Sequence, residues 1–155
     1  MSELVPVPAA YRAAASRIAL VAESFARLLG RPLVPPGNDP GDDIAAALWS
    51  APLAIVAHGA EADPLFFFGN RAALIRFEST VEQFVGMPSR LSAEALLRDE
   101  RQALLDRVAR DGFIDDYAGI RISAQGGRFP IRDAVVWNLI DARGAVHGQA
   151  AAFSV

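Results

Sequence analysis

The stretch from Arg128 to Asp141 reads RFPIRDAVVWNLID and has the length and composition of a long strand with two apolar faces. Strict alternation places Phe129, Ile131, Val135, Trp137 and Leu139 on one side and Ala134, Val136, Asn138 and Ile140 on the other. A sheet with one wet face would alternate apolar with polar residues. This strand does not, and Ala150 to Phe153 repeats its pattern. Whatever the chain folds into must therefore cover a sheet on both sides. The larger stripe, with Trp137, is expected to face the main helical layer, because that core has more volume to fill.

The flanking text supplies the other strands. Ile114 to Ser123 precedes the turn Ala124-Gln125-Gly126-Gly127, and Ala142-Arg143-Gly144-Ala145 separates the long strand from Val146 to Phe153. Glycine-containing turns of this length join antiparallel hairpins. Leu53 to Ala57 and Leu65 to Phe68 read as two earlier short strands, joined by the loop 58–64. Between the two groups, Asn70 is placed to cap a helix from Arg71 to about Phe77. Ser79 and Glu82 have capping-box spacing before Val81 to Val85, which Gly86 ends. Ser92 begins a further helical region that restarts at Asp99 and stops at Gly112, with Leu104, Leu105 and Val108 on its apolar face.

Ahead of the sheet, Tyr11, Ala14, Ile18, Val21, Phe25 and Leu28 recur at three- and four-residue steps, which predicts an amphipathic helix over Ala9 to Leu29. Residues 30–41, GRPLVPPGNDPG, cannot continue a helix and read as a strap. Asp42 and Asp43 then open a short helix over Ile44 to Trp49. The expected architecture is α+β: a five-stranded antiparallel sheet with short helices on one face and the N-terminal helix, or a second subunit, on the other. The expected division is a helix-and-strap segment over 1–41 and a sheet domain over 42–155.

Several function classes drop out. The chain has no cysteine and no lysine, and all 15 of its basic residues are arginine. Disulfides, thiolate metal sites, a cysteine nucleophile, a cysteinyl photoadduct and Schiff-base chemistry are excluded. A net charge of −3, with arginines interleaved among acids, argues against a nucleic-acid surface and reads as solvated faces and ion pairs. The most apolar stretch, Ile44 to Ala57, is interrupted by Ser50 and Pro52 and is too short to span a membrane. No secretory leader is evident, so a cytoplasmic location is expected.

Candidate chemistry is sparse. His58, Glu61 and Asp63 share one loop and could serve a metal or acid–base role, but one histidine without a distant partner is a poor ligand set. Asp115 and Asp116 are strand neighbours that point apart, one expected in solvent and one on an arginine such as Arg121 or Arg132. Ser89 and Ser92 lack a nucleophile elbow and read as helix caps. Tyr117, Trp137, Asn138 and Gln149 offer flat apolar surface and a few hydrogen-bonding groups in the closing strands, the make-up of a small-molecule pocket. Amides in apolar strands need a reason, because burying them without partners costs free energy.

The element order resembles the PAS fold, and the local text is similar to the MEKHLA domain, a PAS-like family. The stretches that carry this are His58-Gly59-Ala60-Glu61-Ala62-Asp63-Pro64, Gly69-Asn70-Arg71-Ala72-Ala73-Leu74, Met87-Pro88-Ser89-Arg90, Gly112 to Gly119, Val136-Trp137-Asn138-Leu139 and Gly148-Gln149-Ala150-Ala151. The resemblance implies a sensory or interaction module and brings no established ligand. It places a pocket between the sheet and the helices of residues 71–97; the reading of the residues themselves, not the resemblance, gives Trp137, Tyr117, Gln149, Phe67 and His58 as the expected ligand-binding residues. Among PAS cofactors, covalent photochemistry needs the missing cysteine, and haem needs a histidine on the long helix, where Ser92 to Asp111 has none. Non-covalent flavin, a small organic acid or no ligand remain. The expected role is a stand-alone sensory module signalling through protein contacts, as a homodimer built on the Ala9 to Leu29 helix or with another signalling protein. The alternatives are an interaction domain with a solid core, and a small enzyme or metal site in the His58 to Asp63 loop.

Overall fold

The computed structural model describes residues 6–34, 43–93 and 98–155. Most of the strap, 35–42, and the step at 94–97 between two helical pieces lie outside the described residues. The elements are α1 (Ala9–Ala13), α2 (Ala15–Leu29), α3 (Ile44–Trp49), β1 (Ala54–His58), β2 (Phe66–Gly69), α4 (Arg71–Arg76), α5 (Val81–Phe84), a 3-10 turn (Ser89–Ser92), α6 (Arg98–Asp111), β3 (Phe113–Ile122), β4 (Arg128–Ile140) and β5 (Val146–Phe153). The five strands form one antiparallel sheet in the order β2-β1-β5-β4-β3. The closing meander pairs directly, and the two early strands join it through β1 against β5.

Each face of the sheet has its own cover. On the outer face lies α2, whose Ile18, Val21 and Phe25 are buried. Phe25 meets Trp137 edge to face at 4.9 Å, and the Trp137 indole Nε1–H donates to the Val21 carbonyl at 3.1 Å. Ser24 Oγ donates to the Ile140 carbonyl and accepts from the Ile140 N–H, pinning the helix to the end of β4. The apolar outer face is thus closed within one chain, and a second subunit is not needed to cover it. On the inner face lie α4, α5, the 3-10 turn and α6.

The expected N-terminal helix is two helices. Ala14 leaves helical geometry (φ −103°, ψ 22°), and its N–H turns to the Tyr11 carbonyl. The break lets Tyr11 reach the edge of β2, where its hydroxyl donates to the Gly69 carbonyl at 2.8 Å and accepts from the Gly69 N–H at 3.0 Å. One phenol thereby satisfies two groups of an edge strand that no further strand pairs.

Capping follows local chemistry, with corrections. Asn70 caps α4 through the Ala73 N–H at 3.0 Å and accepts from the Ile55 N–H at 2.9 Å. Its amide nitrogen donates to the Leu48 and Leu53 carbonyls, so one buried side chain joins α3, β1 and α4. The capping box at α5 uses Thr80 and Gln83, one residue past the expected Ser79 and Glu82 pair. Asp43 caps α3 as expected and also pairs with Arg12.

The single apolar stripe expected along β4 is the largest correction. Asp133 has φ 50°, and between Ile131 and Ala134 the pairing of β4 with β3 slips by one residue. A one-residue bulge reverses every side chain beyond it. Phe129 and Ile131 therefore lie on the inner face, where Phe129 packs on Phe77. Trp137, beyond the bulge, points to the outer face and sits under α2. Asn138 points inward, its amide nitrogen donating to the Val108 carbonyl of α6 at 3.0 Å.

Candidate functional site

A small cleft of about 50 Å³ opens on the inner face between the sheet, the 3-10 turn and α6. Its floor is apolar, from Val56, Ile131, Val136, Ala151 and Phe153. Phe66 and Phe77 form one wall, and Leu104 and Leu105 of α6 form another. Five polar side chains break this surface: His58, Ser92, Gln149, Arg101 and Arg121.

The sheet sets His58 and Gln149 side by side, as cross-strand partners at the ends of β1 and β5. Gly148 makes that approach possible. Its φ is +141°, and a Cβ there would stand 2.0 Å from the His58 carbonyl oxygen. No side-chain movement relieves a backbone contact of that kind, so only glycine fits. His58 Nδ1 lies 2.9 Å from the Gly59 carbonyl, which fixes the neutral tautomer with hydrogen on Nδ1. Burial holds its pKa below the usual histidine range, the Gly59 hydrogen bond partly opposes this, and the positive field of Arg101 adds to it. At neutral pH His58 therefore brings an uncharged ring with one acceptor nitrogen.

Gln149 Nε2 donates to Asn138 Oδ1 at 3.0 Å, and Asn138 in turn is tied to α6. Gln149 Oε1 is left buried with no partner among the described residues. A buried acceptor without a donor costs about 1–3 kcal/mol, so its presence in a folded chain asks for a donor from outside the chain.

The arginines supply the charge. Arg101 shares its helix face with Leu104, Leu105 and Val108, at spacings of three, four and seven residues. Its Nη2 donates to Ser89 Oγ at 2.7 Å. Desolvation by burial pushes its pKa down to about 10, and the field of Arg121 acts in the same direction. Arg121 comes from β3, on the same side as Tyr117 and Gly119, and its guanidinium lies 5.3 Å from the Tyr117 ring centre. Burial lowers its pKa too, with Tyr117 opposing. Among the described residues no carboxylate is within ion-pairing distance of either guanidinium. Asp63, whose field reaches Arg101, is itself held by Arg90 at 3.2 Å.

Of the five residues expected to bind ligand, the cleft collects two, His58 and Gln149. Tyr117 lies beside it under Arg121, its hydroxyl folded over Gly119, where a Cβ would stand 2.5 Å from the Tyr117 oxygen. Phe67 packs beneath Arg17 of α2, with the guanidinium 4.0 Å from its ring centre, and does not line the cleft. Trp137 is in the core on the opposite face, so the face assignment of the Trp137 and Asn138 pair is inverted, for the reason given by the bulge at Asp133.

The other candidates resolve into structure. Glu61 accepts from the Leu65 N–H and faces Arg17, and Asp63 pairs with Arg90, so their carboxylates do not converge with His58. No cluster of three metal-ligating side chains occurs among the described residues. Asp116 pairs with Arg107 at 3.7 Å, in place of the expected Arg121 or Arg132. Among the described residues, Ser92 Oγ donates to the Ser89 carbonyl and Ser89 Oγ receives Arg101, and the helical start expected at Ser92 runs into residues outside those described. Arg101 and Arg121 had been absorbed into the general reading of solvated arginines. The signal that could have marked Arg101 was its spacing, a cation on the apolar stripe of a helix.

The family profile of the MEKHLA domain matches residues 15–155. The chain belongs to the MEKHLA domain family. No curated protein matches it. Solved structures with the same fold include the PAS domain of a Colwellia psychrerythraea protein, at TM-score 0.62 and 14% identity, covering 70% of this chain and 90% of that one. The light-state dimer of the fungal blue-light photoreceptor Vivid aligns at TM-score 0.58 and 13% identity, over 86% of this chain and 92% of that one. The dark structure of the photoreceptor Aureochrome1 LOV aligns at TM-score 0.55 and 17% identity, over 77% and 87%. The MEKHLA chain thus has a PAS-like fold. No helix among the described residues is long and apolar enough to cross a membrane.

Proposed function

We propose that this MEKHLA protein is a cytoplasmic sensory module that binds a small organic ligand in the inner cleft and passes the signal on by protein contacts. One observation carries the reading: the cleft combines an apolar floor with a buried acceptor, Gln149 Oε1, that has no partner among the described residues. Apolar lining with a few convergent polar groups is the make-up of small-molecule sites. The route outward runs from Gln149 through Asn138 to the Val108 carbonyl of α6, so a ligand that engages Gln149 acts on the helix that walls the cleft. A homodimer is the expected assembly, by analogy with the light-state dimer of Vivid. The outward side of α1 and α2 is its expected contact, since the inward side is spent on the sheet.

A flavin is the cofactor to weigh, because LOV photoreceptors are among the structural neighbours. The residues do not suit its ring. Leu104 and Val108 pack directly on Ile114 and Val136, which closes the slot between α6 and the sheet where a flat tricycle would lie. The inward amides are tied to each other and to α6 through Gln149 Nε2–Asn138 Oδ1 and Asn138 Nδ2–Val108 O. The reading therefore routes nothing through flavin.

Thermal denaturation over a panel of neutral, cationic and anionic metabolites tests the proposal. A ligand at one hundred times its dissociation constant stabilises the fold by about 2.7 kcal/mol. A concentration-dependent rise in melting temperature for one class is the expected result. No rise for any class would favour the interaction-only domain. Sedimentation at high micromolar concentration tests the dimer, and a single monomeric species would remove it.

A further inference from the structure

Arg101 and Arg121 are two partly buried cations with no carboxylate beside them among the described residues. Arg101 and Arg121 come from different elements, a helix and the strand beneath it, and both side chains enter the same apolar cleft. Like charges brought together out of water repel strongly, and a fold gains nothing from the pair unless an anion sits with them. Elsewhere in the chain, arginines find carboxylates: Arg12 with Asp43, Arg17 with Glu61, Arg90 with Asp63 and Arg107 with Asp116. Among the described residues this cleft has two guanidinium groups and no carboxylate. Beside them stands one buried acceptor without a partner among the described residues, Gln149 Oε1, which calls for a donor hydrogen.

We propose that the cleft recognises a short aliphatic carboxylate bearing a hydroxyl group. The carboxylate lies between the Arg101 and Arg121 guanidinium groups, and the hydroxyl donates to Gln149 Oε1. The planar fork of arginine matches a carboxylate through paired N–H donors. The carbon stem of the ligand rests on Val136, Ala151 and Phe153. Ser89 holds Arg101 in place from outside, and the Tyr117 ring supports Arg121, so both cations are oriented before the ligand arrives. This inference rests on the ligand-binding reading above and specifies its chemical class.

The test uses the full chain and four sodium salts, malate with succinate and lactate with propionate, measured by calorimetric titration at constant ionic strength. Sodium chloride, sodium phosphate and flavin mononucleotide serve as comparison probes. At least one hydroxy acid should bind, more tightly than its partner without the hydroxyl. Arg121→Gln and Arg101→Gln should each weaken binding at least tenfold while leaving the circular dichroism spectrum unchanged. Arg121→Lys, which keeps the charge and loses the fork, should fall between wild type and Arg121→Gln and serves if either glutamine variant fails to fold. Gln149→Leu should abolish the preference for the hydroxyl and leave carboxylate binding in place. The inference is overturned if no carboxylate binds, if the arginine variants bind as wild type does, or if phosphate or flavin mononucleotide binds and the carboxylates do not. Binding of a neutral or cationic metabolite in the thermal panel would preserve the sensory reading while still removing this anion site.

Discussion

The two faces of the sheet are built on opposite principles. The outer face, under α2, is packed around satisfied groups: Trp137 is fully buried, its one polar hydrogen satisfied by Val21, and Ser24 satisfies both polar groups of Ile140. The inner face is open at one side and leaves capacity unused, with Gln149 Oε1 lacking a donor and Arg101 and Arg121 lacking a carboxylate among the described residues. Buried polar groups left unmatched cost stability. The contrast teaches that stability and recognition are separated by a sheet only one side chain thick. Substitutions on the outer face should damage the fold, and those in the cleft should damage binding alone.

The sharpest way to break the comparison is Trp137→Ala. Removing this side chain from beneath α2 should cost about 3–5 kcal/mol in chemical denaturation. A loss below about 1 kcal/mol would mean that the outer face is not the packed one. Next is Asn70→Ala, which strands two N–H groups and two carbonyls in the core and should cost about 2–4 kcal/mol. Asn70→Asp should be little better, because its added oxygen would face the Leu48 and Leu53 carbonyls in place of the donating amide. If the aspartate variant matched wild type, Asn70 would be a simple cap.

A smaller effect is expected at alkaline pH. Burial raises the Tyr11 hydroxyl from about 10 to about 12, against the Gly69 hydrogen bond. A pKa raised in the folded state favours the protonated phenol, so this contribution is complete below pH 10 and is lost as pH rises through 12. By linkage the loss should be about 1.4 kcal/mol at pH 11. Tyr11→Phe should be less stable at neutral pH and should lack this alkaline step. The same alkaline slope in both proteins would show that Tyr11 is not its source. The smallest effect belongs to the cleft: Arg121→Gln should change stability by less than about 1 kcal/mol, or increase it, since it removes an uncompensated charge. A loss of several kcal/mol would make Arg121 part of the structural core.

Much of this was legible in the residues. The five strands, their antiparallel pairing and the covering of both faces follow from alternation, glycine turns and one strand apolar on both sides. Asn70 as a cap followed from its place between a strand and a helix. The bulge at Asp133 was not legible, because no glycine or proline marks it, although aspartate tolerates positive φ better than most residues. That single slip moved Trp137 to the far face and misassigned the leading ligand candidate. Thr80 was missed because two cap-like pairs, Ser79 with Glu82 and Thr80 with Gln83, overlap by one position. Gln149 stood out as an amide that an apolar strand does not need, and His58 as the imidazole of the loop 58–64. Arg101 and Arg121 were hidden by the abundance of arginine elsewhere, since burial depends on tertiary packing that charge patterning does not report.

The most direct test of the separation is a nuclear magnetic resonance titration of the labelled chain with malate, observing backbone amides, arginine side chains and the Trp137 indole together. The account predicts saturable shifts at His58, Arg101, Arg121 and Gln149, with the Trp137 indole and the amides of Val21 and Phe25 unmoved. Shifts confined to the Trp137 indole and α2, with the cleft silent, would contradict it.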